Sequence, residues 1–398
     1  IANGLPNEFV HCFLRTTSPE GNDVLYIGTE KGLAKFENGK LSKVDLSAEN
    51  IEEIWALHES TEPDGSKSLW IIAGGGVVQL SKKGRKLYTT KDGLPDDRVR
   101  AVLETRSDDG KRVLWFATLG GLARFEDEKF TAYTTENGLP NDRIYSLAEV
   151  RDDSAHQIWI GTGGGGLAIM NLGGENVAFQ QISSETSHHL LNDTILQIFL
   201  DPQGRVYLST NKGVARFSII GRLAELNFRS YIFTTEDGLP SNECIAGASL
   251  VDSLGRIWVG TIAGAAVLDL TREFSDEEPD RIFVERILAN GKERKFIGHQ
   301  DLPYNENDLT FEYTLLSNFR ENASLYRTQL VGLEDEPTEW TKEPNRKFSF
   351  LPDGNFTLKI WGMDASGNIS DPFEIPFRIR PAWWRTWWAY AIYFVAFA

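Results

Sequence analysis

From Arg98 to Thr105 the side chains alternate, with Val99, Ala101, Leu103 and Thr105 on one face and Arg100, Val102 and Glu104 on the other. That is the period of a strand with one buried face. Ser107-Asp108-Asp109-Gly110 follows as a turn, because Asp closes Asx-turns and Gly accepts positive φ. Val113 to Thr118 is a β-branched and aromatic run of the buried-strand kind. Gly120-Gly121 turns the chain into Leu122-Ala123-Arg124-Phe125, and Lys129 to Thr135 reads as an outer strand. Glu136-Asn137-Gly138 then carries the Asn-Gly signal of a tight turn. Four short antiparallel strands with no helical period make one propeller blade.

The same pattern recurs. An aromatic followed by apolar or small residues, usually ending in Thr, stands at Tyr26, Trp70, Trp115, Trp159, Tyr207 and Trp258, so successive anchors lie 44 to 51 residues apart. A period of roughly 40–45 residues or slightly more, built from strands, predicts propeller blades rather than helical repeats. Unit one opens on Gly4-Leu5-Pro6-Asn7, and unit two, from about Asn50 to Asp92, has Ala73 where its neighbours place Thr. Units three and four begin at Gly93 and Gly138. Unit five replaces Gly-Leu-Pro with His189-Leu190-Leu191, ahead of Asn192-Asp193. Unit six, from Gly238 to about Leu270, lacks a fourth strand, and an outer strand preceding Ile1 is expected to supply it in the intact protein. Six visible units predict a ring of six blades, or of seven with one upstream, and seven is the preferred number. The propeller is expected over residues 1–275.

After the acidic stretch Asp276 to Asp280 the repeat stops and another all-β pattern starts. Arg281 to Leu288, Leu309 to Tyr313, Leu325 to Val331, Phe356 to Ile360 and Phe373 to Ile379 read as strands of an immunoglobulin-like or fibronectin-like β-sandwich over residues 280–381. Residues 382–398 follow, uncharged from Trp387 onward with four Trp at the entry. Clustered Trp before an apolar run predicts the start of a membrane-crossing helix, cut short of the roughly 20 residues needed to span. Ile1 and Ala398 both look like cut ends, so the chain reads as part of a larger protein.

Charge and chemistry narrow the function. The formal net charge of −16 gives no electrostatic footprint for nucleic acid. The two cysteines, Cys12 and Cys244, fall in the first strands of the first and last units and read as unpaired packing residues. Gly163 to Gly166 and Gly74 to Gly76 are followed by no Lys-Ser/Thr helix, so they are turns near the axis and not phosphate loops. No nucleophile elbow, no His-Glu-x-x-His and no Cys pair at metal spacing occurs, so no catalytic residue, metal or cofactor is assigned. The pairs Asn7-Glu8, Asp96-Asp97, Asn141-Asp142, Asn192-Asp193 and Asn242-Glu243 recur between blades. Each either closes its own turn, the favoured role, or joins a ring that binds sugar hydroxyls or a cation. Symmetry is broken by Arg98, Arg143, His188 and His189. The candidate ligand-binding residues on the propeller face are therefore Asp97, Arg98, Asp142, Arg143, His189 and Asp193.

The units resemble the two-component regulator propeller repeat, with Gly138-Leu139-Pro140-Asn141, Trp159-Ile160-Gly161-Thr162 and Gly166-Leu167 as the cleanest match. The second pattern resembles the triple-tyrosine (Y_Y_Y) domain through Tyr326 to Leu333, Trp340, Leu351 to Gly354 and Ala365 to Asn368. Of its three tyrosines only Tyr326 matches, with Phe348 and Phe356 near the other two positions. The resemblance implies the periplasmic or extracellular sensor region of an inner-membrane protein, most often a sensor histidine kinase or hybrid two-component system. It further implies a small-molecule or oligosaccharide ligand, a homodimer and a membrane partner through the C-terminal helix. A propeller-type lyase or hydrolase and a protein-docking scaffold are the alternatives. The former needs one asymmetric acid/base pair, and the latter a large apolar patch. No turnover is expected of this chain alone.

Overall fold

The third repeat forms four strands, Val99–Arg106, Arg112–Thr118, Gly121–Glu126 and Lys129–Tyr133, paired antiparallel in sequence order in the computed structural model. The structure describes residues 4–18, 22–62, 64–107, 110–173, 177–186, 190–272, 281–296, 298–316, 324–364, 367–385 and 387–397. The anchor Trp115 is buried, and its indole Nε1 donates to Thr105 Oγ1 at 2.9 Å, tying the second strand to the first. Trp70 donates likewise to Ser60 Oγ at 2.8 Å, and Trp258 to Asp252 Oδ2 at 2.9 Å. The outer strand stops at Tyr133, two residues before the sequence pattern suggests, because Thr134 starts a capped 3-10 turn. Its hydroxyl accepts from Glu136 N, Asn137 reaches back to Thr134 N, and Gly138 closes the turn at φ 92°. The Asn-Gly pair read as a tight hairpin signal is thus the end of a capping box. The same device recurs at Thr89–Asp92 and Thr234–Asp237.

Blades one, two, four and five repeat this four-stranded sheet. Among the described residues blade six has three strands, Cys244–Val251, Ile257–Thr261 and Gly264–Leu268, so the last is an open edge. Apolar clusters sit between consecutive blades. Trp70, Ile72 and Val77 of blade two meet Leu114, Phe116 and Phe125 of blade three. Trp159 and Leu167 of blade four meet Ile195, Ile198 and Leu208 of blade five. A fully buried side chain of this size contributes roughly 1.5–3 kcal/mol through apolar area, so the ring is held chiefly by these seams. Gly161 permits one of them, since a Cβ there would lie 2.4 Å from Ser146 Oγ and 2.9 Å from Ile195 Cγ2. The innermost strands follow one another around an axis, and that of blade six lies beside that of blade one along a shorter front. Phe13 and Leu250 on those two strands remain exposed.

The chain divides into two units, Ile1–Glu273 and Phe274–Ala398. The second is a sandwich. One sheet contains Lys292–Glu293, Arg281–Ala289, Leu309–Leu316 and Asn345–Phe348. The other contains Gln300–Leu302, Phe373–Ile379, Gly354–Met363 and Leu325–Val331. Their inward residues share one core that includes Phe311, Phe348, Phe356 and Phe377. The Tyr326 hydroxyl crosses between the sheets to accept from Leu315 N at 3.1 Å. A helix, Trp387–Phe397, ends the described residues. At 11 residues it is about 16 Å long, and no described helix is long and apolar enough to cross a membrane.

Candidate functional site

The second residue of each innermost strand is one that its partner strand does not match. In blade one Val10 pairs with Thr29 and Cys12 with Gly28, so His11 is bulged. Trp55, Arg100, Tyr145 and Leu196 are the corresponding residues of blades two to five. In blade six the pairing jumps from Cys244 to Ser249, and Ile245 opens the unpaired stretch. A β-bulge frees its extra residue from the ladder and re-aims the side chain. In every blade but the fifth, among the described residues, the residue before this strand is fixed differently, by its backbone. Phe9, Glu53, Arg98, Arg143 and Glu243 each accept at their carbonyl oxygen from an N–H in the turn joining the blade's second and third strands.

Three bulged side chains from three blades meet. The His11 imidazole stacks on the Trp55 indole, with centroids 4.3 Å apart and planes at 27°. The Arg100 guanidinium carbon lies 3.8 Å from the same indole's centroid. His11 Nε2, Trp55 Nε1 and Arg100 Nε are buried with no hydrogen-bond partner among the described residues. Buried polar atoms are normally satisfied, so three together mark a place where packing was not optimised for the fold alone. Beside them Arg143 Nη2 donates to the Tyr145 hydroxyl at 2.7 Å. Gly163 makes room for that pair, because a Cβ there would stand 2.9 Å from Tyr145 Cε2 and 3.1 Å from Arg143 Cβ. Burial is the main cause that pushes the Arg100 guanidinium below its ordinary range; Glu53 and Tyr145 oppose the shift, while Arg98 and Arg143 reinforce it. The remaining bulge positions, Leu196 and Ile245, are apolar, as is the nearby exposed Phe9.

The residues singled out from the sequence fall into three groups. Asp97, Asp142 and Asp193 accept from the backbone N–H of Thr90, Thr135 and Ser184, each at 2.6 Å, across the turn that precedes their blade. Their partners Asp96, Asn141 and Asn192 accept from the backbone N–H two residues ahead, which is Asx-turn geometry. These six side chains therefore shape the blade junctions. Arg98 and Arg143 are exposed on the arc that holds Arg100, and Arg98 is held by Asp96 in a two-pronged pair at 2.9 and 2.7 Å. His189 lies outside the described residues. Sequence reading misses His11, Trp55, Arg100 and Tyr145 as a group. Aligning the repeats on their second innermost-strand residue exposes them, because that column alone changes from imidazole to indole to guanidinium to phenol. Among the described residues no group of three or more His, Cys, Asp or Glu is placed to hold a metal ion.

No family model matches the chain. A histidine kinase, P4, of Formosa agariphila is 22% identical over 218 residues, 50% of this chain and 15% of that protein. The extracellular domain of a putative hybrid two-component system from B. thetaiotaomicron superposes with TM-score 0.65 and 19% identity, over 94% of this chain and 50% of that one. At that identity the likeness speaks for the fold: an all-β chain with a propeller. The extracellular domain of a putative one-component system of the same organism gives TM-score 0.48 and 16% identity, over 95% of this chain and 51% of that one. This chain thus spans half the length of the solved domain and 15% of the curated kinase.

Proposed function

We propose that this chain is the extracytoplasmic ligand-sensing region of a transmembrane two-component signalling protein, and that its ligand docks where the bulged residues converge. The observation that carries the reading is the His11–Trp55–Arg100 cluster, an asymmetric set of side chains on an otherwise repeated ring. The likeness to the extracellular domain of a hybrid two-component system and the weaker match to a histidine kinase support it. An aromatic and polar surface of this kind suits a saccharide, which offers hydroxyls to the guanidiniums and apolar ring faces to indole and phenol. Titration calorimetry with a panel of oligosaccharides tests this. Binding to the parent should be lost in Tyr145→Ala and Trp55→Ala while circular dichroism stays that of the parent; binding indifferent to both substitutions counts against the site.

Signal transfer follows from the second unit. The sandwich, with Tyr326, Phe348 and Phe356 in its core, is proposed to be a triple-tyrosine-type domain that pairs with a second copy next to the membrane. The helix Trp387–Phe397 is proposed as the beginning of a membrane span, and residues 275–280, outside the described set, as the joint. A ligand must favour one placement of the two sandwiches over another, because it shifts an equilibrium only through differential affinity. Single cysteines along Phe373–Ile379 in the full-length protein in membranes should cross-link differently with and without an activating ligand. Identical patterns would sink the transfer model.

A further inference from the structure

We infer that the ligand taken at this propeller face carries an oxyanion, a carboxylate or sulfate on a saccharide, and that Arg100 is the group that grips it. The inference rests on the sensing role proposed above and specifies its chemistry. The chain has a net charge of −16, yet three guanidiniums, Arg98, Arg100 and Arg143, interact on one arc, where Glu53 acts on Arg100 and Asp96 is taken up by Arg98. Two of the three are already engaged. Arg98 makes its two-pronged pair with Asp96, and Arg143 donates to Tyr145. Arg100 makes no hydrogen bond or ion pair among the described residues, and its Nε is buried without a partner.

A half-buried cation with no hydrogen-bonded counter-ion, acted on by Glu53 only through its field and standing beside two other guanidiniums, is unfavourable for folding. The arrangement becomes favourable when an anion enters. Packing over Trp55, 3.8 Å from the ring centroid, restrains the Arg100 fork before any ligand arrives, and a planar fork held in place matches carboxylate and sulfate oxygens with little further loss of freedom. Apolar surface lies on both sides of the cluster, with Phe9 exposed just ahead of His11 in blade one and Ile245 exposed in blade six. An acidic head on a body with an apolar face, as in a sugar acid, satisfies both kinds of surface. Arg100 as a packing partner of Trp55 alone would explain the stacking but not the gathering of three arginines.

The test uses the whole 398-residue chain with three probes: trigalacturonate, its neutral methyl ester, and a sulfated neutral trisaccharide. Both anions should bind at least ~10-fold tighter than the ester, the range expected of hydrogen bonds to a charged group. The preference should shrink as salt rises from about 0.05 to about 0.5 M. Arg100→Met should abolish the preference, Arg100→Lys should keep part of it, and Arg100→Met without ligand should melt no lower than the parent. The inference fails if the ester binds as well as the acids, if Arg100→Met keeps the preference, or if Arg100→Met melts well below the parent. In those cases saccharide binding that is still lost in Tyr145→Ala leaves the sensing role standing. If none of the probes or neutral oligosaccharides binds, both readings fall.

Discussion

Single residues show how the repeat is fastened. Thr118 Oγ1 donates to Gly121 O at 2.7 Å and accepts from Gly120 N, clamping the turn between the second and third strands. Thr29, Thr162, Thr210 and Thr261 do the same in their blades. Blade two has the fully buried Ala73 at this place and no such clamp. Thr118→Ala should cost about 1–2 kcal/mol. Ala73→Thr should add up to about 1 kcal/mol in urea unfolding, because the other blades show that the turn accommodates the hydroxyl. A loss on Ala73→Thr would show that blade two has closed over the position. The thiols make a second case. Burial pushes Cys12 from the ordinary 9.0 up to about 12 and raises Cys244 as well. Both should be silent to a disulfide reagent at about pH 8 in the folded chain and react once unfolded. Their contribution to stability is complete below the ordinary thiol value and is lost as the pH rises through the raised values, about 12 for Cys12. The recurring Asn and Asp pairs were legible as turn formers because their chemistry is local. Arg100 was not legible as special, since within an alternating strand it reads as one more residue of the Val102 and Glu104 face.

At the scale of the element, alternation and turn chemistry located the strands well, because a sheet with buried faces leaves its period in the sequence. The bulges left no such trace: Val99 and Ala101 keep their spacing whether or not Arg100 is paired, and only the partner strand decides. Strand ends were also misread by a residue or two where a capping box replaced a hairpin turn. The hairpins of blades four and six are held by carboxylates instead. Asp252 accepts from the Trp258 indole, from Arg256 and from Leu254 N, and these bonds, the indole's first, hold its carboxyl well below the ordinary range. Asp152 is lowered by Ser154 first, then by Leu223 N from the next blade. Depressed carboxylates stabilise the fold above their unfolded pKa, and the gain is lost as acid protonates them. Chemical unfolding followed from about pH 5 down to about pH 2 should show stability falling, and less steeply in Asp252→Asn. Equal slopes in parent and variant would remove Asp252 from the acid response.

For the molecule as a whole, the first unit is a ring fastened from seam to seam, and its weakest part is where blade six stands beside blade one. Gly264–Leu268 is an edge among the described residues, and Phe13, Leu250, Ile262 and Val267 are exposed. Hydrogen exchange should therefore reach the amides of Ile257–Thr261 and Gly264–Leu268 before those of blades three and four. Uniform protection around the ring would contradict this. The bulge has a consequence for descent as well as for mechanics. Blades one to five each hold one position that the sheet does not need for pairing, and blade six a short stretch, so a mutation there leaves the ladder intact. Those that also stand clear of the seams, unlike Leu196, can drift independently around the axis. A lineage that keeps the repeat can thus acquire a new vocabulary of ligands by changing a few codons, without passing through an ancestor that fails to fold.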